Sequence, residues 1–257
     1  MAAAGEADTK NSVDAAEIAR FDRLAAQWWS PDGPMHALHK MNPVRVRWLR
    51  DRMAAHFSAP NQSRANAGPQ MLAGLTVLDI GCGGGILSES LARHGASVTG
   101  LEPAEKNLAV ARAHAQQQGL EIDYRPDTAE AMAAAGHAYD VVCAMEVVEH
   151  VADMESFVAS ACSMVRPGGL FFAATLNRTL KSFALAIVGA EYVLRWVPAG
   201  THQWEKFVKP RELKDAIGAA GLVICDSTGV VYNPLARVWR TSRDMDVNYM
   251  LAAKRDS

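Results

Sequence analysis

Leu75-Thr76-Val77-Leu78-Asp79-Ile80 runs straight into Gly81-Cys82-Gly83-Gly84-Gly85, and a helical segment from about Ile86 to His94 follows. The first six residues read as a buried strand. Four glycines in the next five positions let the backbone turn tightly and approach a ligand that a Cβ would exclude. A strand, a glycine turn and a helix in that order form the first unit of a doubly wound α/β sheet, whose ligands lie at the carboxyl ends of the strands. A dinucleotide fingerprint, G-x-G-x-x-G, needs glycine at its third position so that helix and strand pack closely. Here Ile86 occupies that place, which argues against a nicotinamide oxidoreductase.

Outward from this unit the pattern alternates. Residues 96–101 form a second strand, and Ala104 to Gln118 a helix ended by Gly119. Residues 121–125, 139–144 and 170–176 read as further strands. Asp153 to Val165 is helical, and Pro167-Gly168-Gly169 is a turn. Strand and helix in alternation predict a parallel sheet covered on both faces. After an interruption at 178–209, Pro210 to Ala220 is helical, and residues 222–228 and 247–253 are the final strands.

The N-terminal part differs. Residues 1–13 read as a disordered tail, and Asp14 with Glu17 makes a capping box for a first amphipathic helix through Ile18, Phe21, Leu24 and Trp28. Asn42-Pro43 supplies the N-cap and first-turn proline of a second helix that ends near Phe57. Residues 58–70 are a linker by composition. The expectation is one domain over 14–257: N-terminal helices 14–57, a core 75–177, an insertion 178–209 and a C-terminal part 210–253.

Composition narrows the function. With 49% apolar and 21% charged residues, the 257-residue chain is an ordinary globular protein, and a formal net charge of -2 offers nucleic acid no broad attraction. The four cysteines, Cys82, Cys143, Cys162 and Cys225, form no C-x-x-C pair, which fits a reducing compartment. The N-terminus has no apolar signal region, so the expected location is cytoplasmic.

The loop resembles the D/E-x-G-x-G-x-G signature of class I S-adenosylmethionine (SAM)-dependent methyltransferases, matched by Asp79, Gly81, Gly83 and Gly85. Glu102, at the end of the second strand, stands where a carboxylate accepts from ribose hydroxyls. Asp127 lies after the third strand, where that class places an acid near the adenine amino group, and Met145 follows the fourth. The resemblance implies a Rossmann-like, seven-stranded, mostly parallel sheet with its last strand antiparallel.

Further stretches are similar to the ubiquinone-biosynthesis O-methyltransferase family. These include Phe21 to Trp29, His39-Lys40-Met41-Asn42-Pro43 with Arg45, Met145 to Val151, Thr175 to Arg178, Gly189 to Tyr192, Gly200-Thr201-His202 and Asp246 to Leu251. The likeness spans roughly residues 14–253. It implies methyl transfer from SAM to phenolic hydroxyls of polyprenylated catechols and demethylubiquinol, with other ubiquinone-assembly enzymes as partners. It also places Arg45 on the methionine carboxylate, where a bidentate guanidinium fits.

An acceptor phenol, with a pKa of about 10 by analogy with tyrosine, must lose its proton. Glu146, Glu149 and His150 stand at i, i+3 and i+4, so one helical turn brings them to one face. Two readings stand for them: ligands of a magnesium ion that holds the catechol oxygens, or residues that shape the pocket and supply the base. His202 is a second candidate base. Residues 183–198 are too short and too charged to span a bilayer, yet Tyr192, Arg195 and Trp196 within them, with Lys181 just before, are interfacial anchors. They are expected to form a lid that also touches membrane lipid.

Overall fold

The computed structural model describes residues 12, 14–30, 32–58, 68–185 and 203–257. Most of the linker 58–70, most of the interfacial segment 183–198, and His202 lie outside the described residues.

The strands β1 (Thr76–Ile80), β2 (Ser97–Leu101), β3 (Asp123–Arg125), β4 (Tyr139–Met145), β5 (Val165–Leu176), β6 (Val223–Asn233), β7 (Val238–Ser242) and β8 (Asn248–Lys254) form one sheet in the order β3-β2-β1-β4-β5-β8-β6-β7. The first five in sequence pair in parallel, and β8 enters antiparallel between β5 and β6. The sheet therefore has eight strands rather than the seven expected. The additional strand is β7, which turns back on β6 as an antiparallel hairpin. It is half-exposed and mixed in polarity, so the period that marks a buried strand is missing from it.

Alternation along the strands sorts the core onto two faces. Val142 and Ala144 of β4 pack with Phe171 and Ala173 under the helices α5 (Ala129–Ala134), α6 (Met154–Ser163) and α8 (Pro210–Ala219). Val141, Cys143 and Met145 face the other way, with Phe172 and Ala174, under α2 (His36–His56) and α3 (Ile86–Arg93). The helix α4 (Glu105–Gln117) packs through Leu108, Ala111 and Ala115 against Cys82 and Tyr124. Among the described residues the remaining α-helices are α1 (Ala15–Leu24) and a single turn, α7 (Leu180–Ser182).

Three local expectations change. The helix α2 begins at His36, so Asn42-Pro43 lies inside it instead of capping it. An interior proline loses a backbone hydrogen bond and costs about 3 kcal/mol. Burial of Met41, Val46, Trp48, Leu49 and Met53 on the sheet outweighs that. Asn42 donates its side-chain amide to Ile86 O and Ser90 Oγ, tying α2 to α3. Second, Pro167-Gly168-Gly169 is an irregularity inside β5: pairing shifts from Tyr139–Val165 to Val141–Leu170, and Gly168 has φ 75°. Third, Ser12, expected in a disordered tail, is buried: its carbonyl accepts from Ala152 N at 2.7 Å and its hydroxyl donates to Glu130.

Candidate active site

The glycine loop turns at the carboxyl end of β1. Gly81 N and Cys82 N both donate to Leu101 O, at 2.7 and 3.0 Å, which holds the loop against the end of β2. Gly81, Gly83 and Gly85 all have positive φ, where other residues are strained. Packing is equally exclusive. A Cβ on Gly83 would lie 2.2 Å from Trp28, and one on Gly85 2.3 Å from the Tyr124 hydroxyl. Asp79, on the strand beneath, is buried and accepts from Ser88 Oγ at 2.6 Å; burial pushes its carboxyl up to about 7.

Glu102 follows β2 directly. Its two oxygens accept from Gly83 N at 3.1 Å and Ala104 N at 3.0 Å, so one carboxylate fastens the loop to the start of α4. Burial raises its pKa against those two hydrogen bonds. Glu102 lines a cavity of about 720 Å³ together with Asp79, Gly81, Gly83, Asp127 and Met145. Every expected SAM contact except Gly85 thus lines one cavity. Arg45, from α2, lines the same cavity.

Arg45 does not present a vacant fork. One guanidinium nitrogen pairs with Glu146, which also accepts from Asn248 Nδ2 at 3.0 Å. Arg45 Nε and Asn248 Oδ1, both buried, find no partner among the described residues. Such atoms cost stability unless something binds them. A zwitterionic amino-acid group suits that pair: a carboxylate for the guanidinium, an ammonium for the amide oxygen.

The expected metal-ligand arrangement is corrected by the backbone. Residues 146–150 form no helix: Glu146 has φ 59°, and His150 N closes a turn on Val147 O at 2.8 Å. The three side chains then take different hydrogen-bond partners. Glu146 joins Arg45 and Asn248, Glu149 accepts from Thr175 Oγ1 at 2.8 Å, and His150 Nδ1 lies 3.1 Å from Glu17 Oε2. Among the described residues, no group of three or more His, Cys, Asp or Glu side chains is arranged to hold a metal ion. The i, i+3, i+4 spacing failed because a left-handed residue at the end of β4 redirects the chain before a helical turn can form.

Glu149 is buried, and that burial, with Glu146 beside it, pushes its carboxyl above the usual range. For His150 burial works downward, but the hydrogen bond with Glu17 and the nearby carboxylates outweigh it, and the net shift is upward. Glu149 and His150 both line the cavity, as does Trp28.

The N-terminal segment roofs this site, which spacing alone did not reveal. Trp28 packs on Gly83 and Gly84 and donates Nε1 to Asn107 Oδ1 at 2.9 Å. Trp29 donates Nε1 to Gly84 O at 2.9 Å and stacks on His114 with centroids 3.5 Å apart. The Trp-Trp pair was the signal available in the sequence. Glu17 read as a capping residue, and Thr175 and Asn248 fell within family-like stretches, but nothing local named the distant partners these side chains meet.

A family model described as a methyltransferase domain matches residues 38–226. Among curated relatives, the ubiquinone biosynthesis O-methyltransferase of Methylobacterium sp. (strain 4-46) is 60% identical over 249 residues, covering 97% of this chain and 98% of that protein. The protein of the same name from Methylocella silvestris is 56% identical over 245 residues, covering 95% and 96%. Among solved structures, magnesium protoporphyrin IX methyltransferase from Synechocystis PCC 6803, with bound SAH, aligns with a TM-score of 0.61 at 21% identity, covering 93% of this chain and 94% of that one. That likeness shows the class I methyltransferase fold. With a glycine loop that excludes side chains and an acid at the end of each of the first two strands or beside it, the chain belongs to the ubiquinone biosynthesis O-methyltransferase family and is a SAM-dependent methyltransferase.

Proposed function

We propose that this chain methylates phenolic hydroxyls of polyprenylated catechols and of demethylubiquinol. The observation that carries the reading is a cavity of about 720 Å³ lined by the glycine loop and Glu102 together with Glu149, His150 and the apolar side chains Leu176 and Val247. A donor on the loop and an aromatic acceptor with an apolar tail both find matching surface in it.

When bound, SAM supplies an electrophilic methyl group on a sulfonium. The chain's own work is to hold the acceptor oxygen in line with that methyl and to take up the phenolic proton. As the oxygen–carbon bond forms, the carbon–sulfur bond breaks and its electron pair returns to sulfur. In this reading His150 receives the proton, and the contact of its Nδ1 with Glu17, which leaves Nε2 as the basic nitrogen, supports it. An imidazole whose pKa sits above its ordinary value suits a base working near neutrality. Glu149, held by Thr175, lies in the same wall. Asp127 and Met145 border the adenine side and Arg45 with Asn248 the methionine end.

Among the described residues no group of three or more His, Cys, Asp or Glu side chains is arranged to hold a metal ion, so magnesium at Glu146, Glu149 and His150 is left out of this reading and no step here runs through a metal. Membrane contact through 183–198 remains part of the proposal. It is supported by the sequence's interfacial anchors and by the apolar exposure of Phe183 and Leu185 at the start of that segment. No helix among the described residues is long and apolar enough to cross a membrane. Association with other ubiquinone-assembly enzymes rests on family membership, and co-purification from membranes tests it.

One experiment addresses the rest: transfer from labelled SAM to a short-chain prenylated catechol presented in vesicles, with magnesium or with EDTA, the vesicles being pelleted afterwards. Labelled product and protein in the pellet are expected. No product despite measured SAM binding refutes the acceptor assignment, and loss of product with EDTA restores a metal role. Protein left wholly in the supernatant refutes membrane contact.

A further inference from the structure

We propose that Glu17 is a positioning residue for the acceptor chemistry, acting from the N-terminal helix through His150. The inference rests on the reading of His150 as the base.

Glu17 and Phe21 stand at i and i+4 on α1, so they share one face. That face lies on the turn after β4. Glu17 Oε2 is 3.1 Å from His150 Nδ1, and the Phe21 ring meets the imidazole edge-on with centroids 5.4 Å apart. A carboxylate therefore fixes the ring's rotation and its tautomer while an aromatic edge fixes its tilt. Only a protonated Nδ1 can donate to Glu17, so Nε2 presents its lone pair.

The start of the helix that carries Glu17 is itself tied down twice. Ala152 N donates to Ser12 O at 2.7 Å, two residues beyond His150, and Lys206 Nζ reaches Asp14 Oδ2 at 3.2 Å. Arg20 Nη1 also holds Glu17 Oε2 at 3.3 Å; the hydrogen bond with His150 first, and then the charges of His150 and Arg20, hold the carboxyl below its usual range. Glu17, Phe21 and His150 all border the cavity. The arrangement has a consequence for the reaction: the base is ready only when α1 is docked, so the segment that roofs the donor loop also readies the acceptor side.

The test is steady-state kinetics of the full chain on a soluble short-chain catechol with Glu17→Ala, Glu17→Gln, His150→Ala and the Glu17→Ala/His150→Ala double variant. Glu17→Ala is expected to lower kcat about tenfold to a hundredfold, part of the about 10²–10⁴ that a general base supplies. The KM for SAM stays within about twofold. Glu17→Gln, which keeps an acceptor oxygen of the same reach, recovers part of that loss. In the His150→Ala background, Glu17→Ala has no further effect, because its partner is gone. An equal loss in both backgrounds, or Glu17→Ala with wild-type kcat, overturns the proposal while leaving the base intact. His150→Ala with wild-type kcat overturns the base reading and the proposal together. Thermal melts of Glu17→Gln, an isosteric change, separate these effects from misfolding.

Discussion

Gly83→Ala tests the packing of the donor loop under its tryptophan roof. Gly83 has φ 53°, and its added Cβ would lie 2.2 Å from Trp28 Cη2 and 2.5 Å from Cζ2. The left-handed backbone costs a non-glycine residue about 1–2 kcal/mol. Forcing a methyl against a buried ring adds about 1–3 kcal/mol. Trp28 is only 6% exposed and is anchored by its hydrogen bond to Asn107, so it does not swing away freely. The sum is a destabilisation of about 2–5 kcal/mol. Trp28→Ala removes the clash at its own cost of about 3–5 kcal/mol, so in that background Gly83→Ala costs only the backbone share, about 1–2 kcal/mol. Urea unfolding of the four proteins measures the coupling, with the slopes compared to confirm a common unfolded state. Strict additivity, or Gly83→Ala within about 0.5 kcal/mol of wild type, refutes the contact as the reason for glycine.

Asp79 has a folded-state pKa of about 7, above its unfolded value, so between about pH 4 and 7 the folded chain holds a proton that the unfolded chain releases. Its contribution to stability is present at low pH and is lost as pH rises through that window, by at most on the order of 4 kcal/mol. Asp79→Asn is therefore expected to gain on wild type between pH 4.5 and 7.5 in cofactor-free urea melts; parallel curves for the two proteins contradict the burial argument. Glu102→Ala removes the acceptor for Gly83 N and Ala104 N and the expected ribose contact. SAM affinity by calorimetry should fall roughly tenfold to a hundredfold, the worth of about 1.5–3 kcal/mol for a hydrogen bond to a charged group. An unchanged Kd would place the ribose elsewhere.

Much of this protein was legible before any coordinates. The parallel core follows from apolar runs bounded by glycine turns, because a strand buried on both faces must be apolar throughout its length. The glycine loop, the acid after β2 and the antiparallel last strand were all recognisable, and the structure places Asp79, Gly81, Gly83, Glu102, Asp127 and Met145 around one cavity. Each of these depends on spacing within a short segment or on a family pattern.

What tertiary structure alone decided is everything that joins distant segments. Proline 43 reads locally as a helix start, and only burial of the α2 face on the sheet carries the helix through it. Glu146, Glu149 and His150 read locally as one helical face, and only the left-handed turn after β4 sends them to Arg45, Thr175 and Glu17. Glu17 reads as a capping residue; Asp14 does cap, accepting from Ala16 N at 2.9 Å, but Glu17 turns to His150 instead. The physical reason is common to all three. Backbone propensity and periodicity are properties of neighbours in the chain, whereas an apolar face or a buried charge takes whichever partner the packed fold brings within reach.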